Sequence, residues 1–145
     1  MILHTASEGI TFSKKLENDS AEFYENLAQQ NTRDAEIFQS FSKENKKNIT
    51  QVERAYYGVI TDAIEGCFAF NIDTDDYSLK TVVEDGMDYT DVLKTALETE
   101  NTIIKFYTDA AEQSRSLMAD VPRAFTLIAR KRAGRLGKLE SLISK

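Results

Sequence analysis

The sequence predicts an all-α fold: one domain, residues 1–145, in which four helices form two helical hairpins joined by one long crossover. Three observations lead there. The 145 residues include one Pro and six Gly, which permits long helices and disfavours a strand-rich fold with many tight turns. Apolar residues recur at helical spacing in four stretches. The links between those stretches run short, long, short. Short links make antiparallel neighbours, and the long one carries the chain back across the bundle.

The first helix is expected over about residues 7–30. Ser7 serves as its N-cap, and Ile10, Phe12, Leu16, Ala21, Phe23, Tyr24, Leu27 and Ala28 form its apolar stripe. Asn31-Thr32-Arg33-Asp34 supplies turn and capping groups. The second helix follows over about 33–66, with Phe38, Phe41, Ile49, Val52, Tyr56, Val59, Ile60 and Ala63 facing inward. Between 68 and 90 the pattern weakens. Residues 71–76 read as a polar loop, Glu84-Asp85-Gly86 as a break, and Leu79 to Val83 as a short helix. The third helix is expected over about 90–116 and the fourth over about 120–144. Asp120 caps the fourth, and Pro122 lies in its first turn, where a missing amide hydrogen does no harm.

Composition narrows function more than it names it. Hydrophobic residues make up 41% and charged residues 29%, the balance of a globular chain. A net charge of −6 gives no electrostatic reason to expect nucleic acid or an anionic membrane as partner. The basic run Arg130, Lys131, Arg132, Arg135 and Lys138 spreads around a helix near its C-terminus, where cations suit the dipole. A lone Cys67 excludes an intramolecular disulfide and a cysteine-based zinc or iron–sulfur site, and its apolar neighbours suggest a buried thiol. Neither a signal peptide nor a membrane-spanning apolar run is evident, so a cytoplasmic protein is expected. Nucleophile triads, phosphate-cradling glycine loops and zinc spacings are missing too.

Helices one and three carry an internal repeat. Glu17-Asn18, Phe23-Tyr24, Ala28 and Gln30 match Glu100-Asn101, Phe106-Tyr107, Ala111 and Gln113, six identities at one offset. Helices two and four echo each other more faintly, with Phe38 and Phe41 against Phe125 and Ile128, and Val52-Glu53 against Leu139-Glu140. Glu17 and Tyr24 stand two turns apart on one face, as do Glu100 and Tyr107. Both glutamates therefore sit on apolar stripes. A carboxylate there needs a cation or hydrogen-bond donors, and two facing one core suggest a shared cation.

With these residues in view, nearly the whole chain resembles the ferritin-like di-iron proteins, rubrerythrin-type domains in particular. That resemblance implies a ferritin-like four-helix bundle. It also implies a di-iron core, with Glu followed seven residues later by Tyr on helices one and three and Glu-x-x-His on helices two and four. Glu17, Tyr24, Glu100 and Tyr107 fit. Counting from Phe38 and Phe41 puts the helix-two ligands at Glu44 and Lys47. Counting equally from Phe125 and Ile128 puts those of helix four at Lys131 and Gly134. Glu17, Glu44 and Glu100 are thus the vestigial metal candidates, and no histidine completes them.

Lys47 and Lys131 would repel a divalent cation and could pair with the glutamates instead, so the main expectation is a non-catalytic protein without a cofactor, retained for binding or assembly. Plainer readings place Glu44 and Lys47 as a solvent-facing pair and let Lys131 snorkel outward. Tyr24 and Tyr107 are then packing residues with bonded hydroxyls, and His4 lies outside the pattern. The alternative is an oxidoreductase of the rubrerythrin type, acting on peroxide, oxygen or iron, with metal held by the three glutamates helped by Glu22 or Glu98 and an external electron donor. A third reading places a polar ligand pocket beside Gly134, opposite Lys47. Surplus aromatics (Phe12, Phe70, Tyr57 and Tyr77) and the family habit of pairing suggest a homodimer or higher homo-oligomer.

Overall fold

A computed structural model describes residues 1–58, 68–84, 86–116 and 120–145. The order of elements is β1 (Ile2–Thr5), α1 (Ala6–Gln30), a 3-10 turn (Thr32–Asp34), α2 (Ala35–Tyr57), β2 (Phe68–Asp73), a second 3-10 turn (Thr74–Tyr77), α3 (Tyr89–Ser114) and α4 (Asp120–Ile143). Four helices pack together as an all-α bundle, with one short two-stranded sheet added. The expected inward positions Val59, Ile60 and Ala63, and the buried thiol of Cys67, lie outside the described residues.

Side-chain pairs fix the helix directions. Lys14–Glu53, Glu17–Asn48, Ser20–Asn45 and Glu25–Ser42 run in opposite order along α1 and α2, which are therefore antiparallel. Glu100–Arg132 and Tyr107–Phe125 do the same for α3 and α4. Ser13–Tyr107 and Tyr24–Glu100 set α1 against α3, while Phe41–Arg135 and Asn45–Arg132 set α2 against α4. The bundle runs up, down, down, up. It has an α1–α3 layer on one side and an α2–α4 layer on the other.

Three local expectations change. Thr5, not Ser7, caps α1: its hydroxyl accepts the Glu8 amide hydrogen at 3.1 Å, and the Glu8 carboxylate accepts the Thr5 amide hydrogen in return. That reciprocal box satisfies donors a bare helix start would leave open. Residues 68–73 form a strand instead of opening a polar loop, and it pairs antiparallel with β1. Residues 78–84 have no regular structure where a short helix was expected. The alternation Phe70, Asn71, Ile72, Asp73 explains the strand, because period two buries Phe70 and Ile72 and exposes Asn71.

The crossover then acts as a strap over the α1–α3 layer. Phe70 lies so close to Gly9 that a Cβ there would fall inside van der Waals contact of its ring. The Tyr77 ring meets Phe106 edge-on at 5.5 Å, and its hydroxyl donates to Asp109 at 2.5 Å. Phe12 packs against Phe106 at 5.2 Å. Three of the four aromatics that looked surplus are thus consumed within the chain. Tyr57 alone stays exposed, at 64%. Beneath the strap, the apolar core divides in two. Ile10, Ile103, Phe125 and Ile128 belong to one cluster and Leu27, Phe38, Leu93 and Leu139 to the other. Between them lies a polar layer.

Candidate functional site

All four helices present an inward seam that alternates steps of three and four. On α1 it reads Ile10, Ser13, Glu17, Ser20, Tyr24, Leu27, and on α3 Leu93, Ala96, Glu100, Ile103, Tyr107, Ala110. On α2 it reads Phe38, Phe41, Asn45, Asn48, Val52, and on α4 Phe125, Ile128, Arg132, Arg135, Leu139. This is the step pattern of helices that pack at shallow angles. It brings Glu17, Asn45, Asn48, Glu100, Arg132 and Arg135 into one layer at the bundle centre, all of them buried.

Glu17 and Glu100 stand where the sequence places them. Arg132 lies between them: its guanidinium bonds the Glu17 carboxylate, reaches Glu100 Oε2 at 2.7 Å, and donates to Asn45 Oδ1 at 3.0 Å. Arg135 donates to Glu100 Oε1 at 3.0 Å, to the Phe41 carbonyl at 3.0 Å and to Glu44 Oε1 at 3.3 Å. Its guanidinium lies over the Phe41 ring at 4.8 Å and the Tyr24 ring at 5.6 Å. Asn48 donates to Glu17 Oε1 at 2.9 Å, and Asn45 donates to Ser20 at 3.0 Å. Tyr24 donates to Glu100 Oε1 at 2.6 Å, while the Tyr107 hydroxyl meets Ser13 at 3.2 Å beside Glu17. The two buried carboxylates and two buried guanidiniums cancel in charge.

The electrostatics follow from that balance. Burial alone would raise the Glu100 pKa, but Arg132 and Arg135 outweigh it and hold the carboxyl below its ordinary value. Burial also opposes the Arg132 charge, yet Glu100 and Glu17 keep its pKa well above the ordinary arginine value. Burial pushes the Tyr24 phenol well up, with Glu100 adding to the effect, and pushes Tyr107 up likewise, with Glu17 adding. Both phenols stay protonated at ordinary pH.

The lysines expected in the core are elsewhere. Lys47 is exposed, and Lys131 is exposed and bonds Gln51 at 3.0 Å. The physical reason is register. After Phe38–Phe41 and Phe125–Ile128 the seam next steps by four, to Asn45 and Arg132, not by three to Glu44 and Lys131. Glu44 consequently sits at the rim, its side chain 35% exposed, and meets the layer only through Arg135. Gly134 is exposed and lines an open surface groove with Gly137, so no core pocket opens there. Glu22 and Glu98 are exposed and do not reach the layer. His4 is half-buried on β1, with its ring stacked on Phe68 at 5.1 Å.

The missed residues had a signal. Val52 and Leu139, already paired by the faint repeat, count back by four to Asn48 and Arg135 and by seven to Asn45 and Arg132. Among the described residues, no three His, Cys, Asp or Glu side chains are grouped to hold a metal ion, and no helix is long and apolar enough to cross a membrane. No family model matches the chain, and neither does a curated protein or a solved structure.

Proposed function

We propose that the chain is a ferritin-like bundle of the rubrerythrin kind whose di-iron site has given way to a buried arginine–glutamate layer, and that its role is structural or binding rather than catalytic. The paired Glu and Tyr positions on α1 and α3 support the kinship, as do the up, down, down, up order and a polar layer with one inward i,i+3 pair on each of α2 and α4. In that frame Asn45 and Asn48 take the Glu-x-x-His positions of helix two, and Arg132 and Arg135 those of helix four.

One observation carries the functional half. The Arg132 guanidinium bonds Glu17 and Glu100 together, in the space a bridging cation would use. Arginine does not deprotonate in proteins and carries five donors but no lone pair to offer a metal. Amide oxygens at Asn45 and Asn48 replace carboxylate and imidazole, which are better iron ligands. The residues present therefore do not fit a di-iron centre, and the layer does the cross-linking that metal would otherwise do. Metal analysis after expression in iron-rich medium, with a peroxide-turnover assay, tests this. The expected result is background iron and background turnover; about two irons per chain would overturn it.

A further inference from the structure

The two layers of the bundle carry opposite charge, and among the described residues only one of them is covered. On α1 and α3 together, ten Asp and Glu face four Lys and Arg, and the strap over that layer adds six acids to one lysine between 68 and 88. On α2 and α4 the balance inverts, with ten Lys and Arg to five Asp and Glu. Two of those cations, Arg132 and Arg135, are spent on Glu17 and Glu100, yet the surface remains basic. Lys43, Lys47, Lys131 and Lys138 form no salt bridge among the described residues. Of the acids in their grooves, Glu44 is held by Arg135, which leaves Glu36.

Shape follows the same division. The α1–α3 seam is filled by the strap, with Phe70 pressed onto Gly9. The α2–α4 seam has no such cover in the described residues. Two adjoining open grooves run along it, both lined by Glu36 and Ser40. Gly134 and Gly137 lie in one of them, and a Cβ added at either meets nothing within 4 Å. On the strap, Val82 is 77% exposed between the acidic stretches. A basic seam, uncovered among the described residues, and an acidic ridge carrying the exposed Val82 thus lie on opposite faces of one molecule.

We infer that the α2–α4 seam docks the acidic strap of a second copy of this chain, Val82 seating against Gly134 and Gly137 while Asp75, Asp76 and Glu84 meet Lys43, Lys47 and Lys131. Like-with-like pairing of two basic seams is opposed by charge, so the contact is heterologous and builds rings or stacks rather than a twofold dimer. The net charge of −6 also disfavours a nucleic-acid occupant. This association stands whether or not the bundle core holds metal.

Light scattering at low ionic strength tests it. Particle mass should rise with concentration above the 16.4 kDa monomer and return to it near about 0.5 M salt. The triple change Lys43→Glu, Lys47→Glu, Lys131→Glu should leave monomers, as should Asp75→Lys, Asp76→Lys, Glu84→Lys. A mixture of the two variants should assemble again, because their altered faces are complementary. Gly137→Gln, which fills the groove without touching the core, should also abolish assembly while helicity is unchanged. A monomer at every concentration in low salt would overturn the inference. So would assembly that survives either charge reversal, assembly that survives Gly137→Gln, or a mixture that stays monomeric.

Discussion

Glu17 and Glu100, carried by different helices, share one guanidinium: Arg132 bonds both, and neither carboxylate is accessible to water. The consequence is a cross-link between α1, α3 and α4 made of side chains alone. Asn48 and Tyr24 satisfy further lone pairs on the same two carboxylates, while Arg132 Nε, Arg135 Nε and Asn48 Oδ1 have no hydrogen-bond partner among the described residues. Such a layer resists removal of any one member, because each partner is left buried and unpaired.

Arg132→Ala should therefore cost about 3–5 kcal/mol of stability, read from urea unfolding, since it leaves two carboxylates facing each other without a cation. Arg132→Lys should recover only part of the loss, because a single ammonium cannot serve two carboxylates and Asn45 as a planar fork does. Lys131→Ala, one residue away but exposed, should change stability by no more than about 0.5 kcal/mol. A small loss at Arg132 together with a large one at Lys131 would restore the lysine register.

The same layer sets a pH window. Glu100 has a lowered pKa in the folded state, so it adds stability above the ordinary glutamate value of about 4.3, and that share is lost as pH falls through its folded pKa. Tyr24 and Tyr107 have raised pKa values, so their contribution is full below about 10 and is lost as pH rises beyond it. Stability from denaturant titrations should stay level from about pH 5 to 9 and fall on both sides. Tyr24→Phe should lower the plateau by about 1–2 kcal/mol, through the missing bond to Glu100, and soften the alkaline fall.

Much of the architecture was legible because helical periodicity survives any change of chemistry inside it. The four helices, the long crossover and the inward Glu17, Tyr24, Glu100 and Tyr107 all follow from stripes and a repeat. The strap was not legible as a strand, since its three buried positions, Ala69, Phe70 and Ile72, break strict alternation and give a weak signal beside the polar Asn71 and Asp73. The core cations were misplaced for a different reason. A step of three from Phe41 and Ile128 points to Glu44 and Lys131, whereas the seam steps by four, and arginine inside a helix reads by default as surface. What identifies Arg132 and Arg135 is their place between Ile128 and Leu139 on an otherwise apolar seam.

Two glycines should respond in opposite directions. Gly9→Ala forces the Phe70 ring off α1, and overpacking of that kind costs about 1–3 kcal/mol. It should also loosen the strap, seen as faster amide exchange over residues 68–73. Gly134→Ala meets open space on an exposed helical face and should stabilise the chain by about 0.5–1 kcal/mol through helix propensity. If both changes were neutral, the close seat of the strap on α1 would be wrong.

The proposed descent from a metal site can be tested by running it backwards. Asn45→Glu, Asn48→His, Arg132→Glu and Arg135→His together give the layer four carboxylates and two imidazoles, and remove both cations. Without metal, four buried carboxylates repel one another and the variant should be markedly less stable than the parent, or unfolded. With a divalent ion it should fold, because a bound metal adds its binding free energy to folding. Unfolding followed by circular dichroism, with and without added Fe²⁺ or Co²⁺, reads the difference directly. The parent chain should show no such dependence. A fourfold variant that folds equally well without metal, or that binds none, would mean that these six positions were never a ligand set.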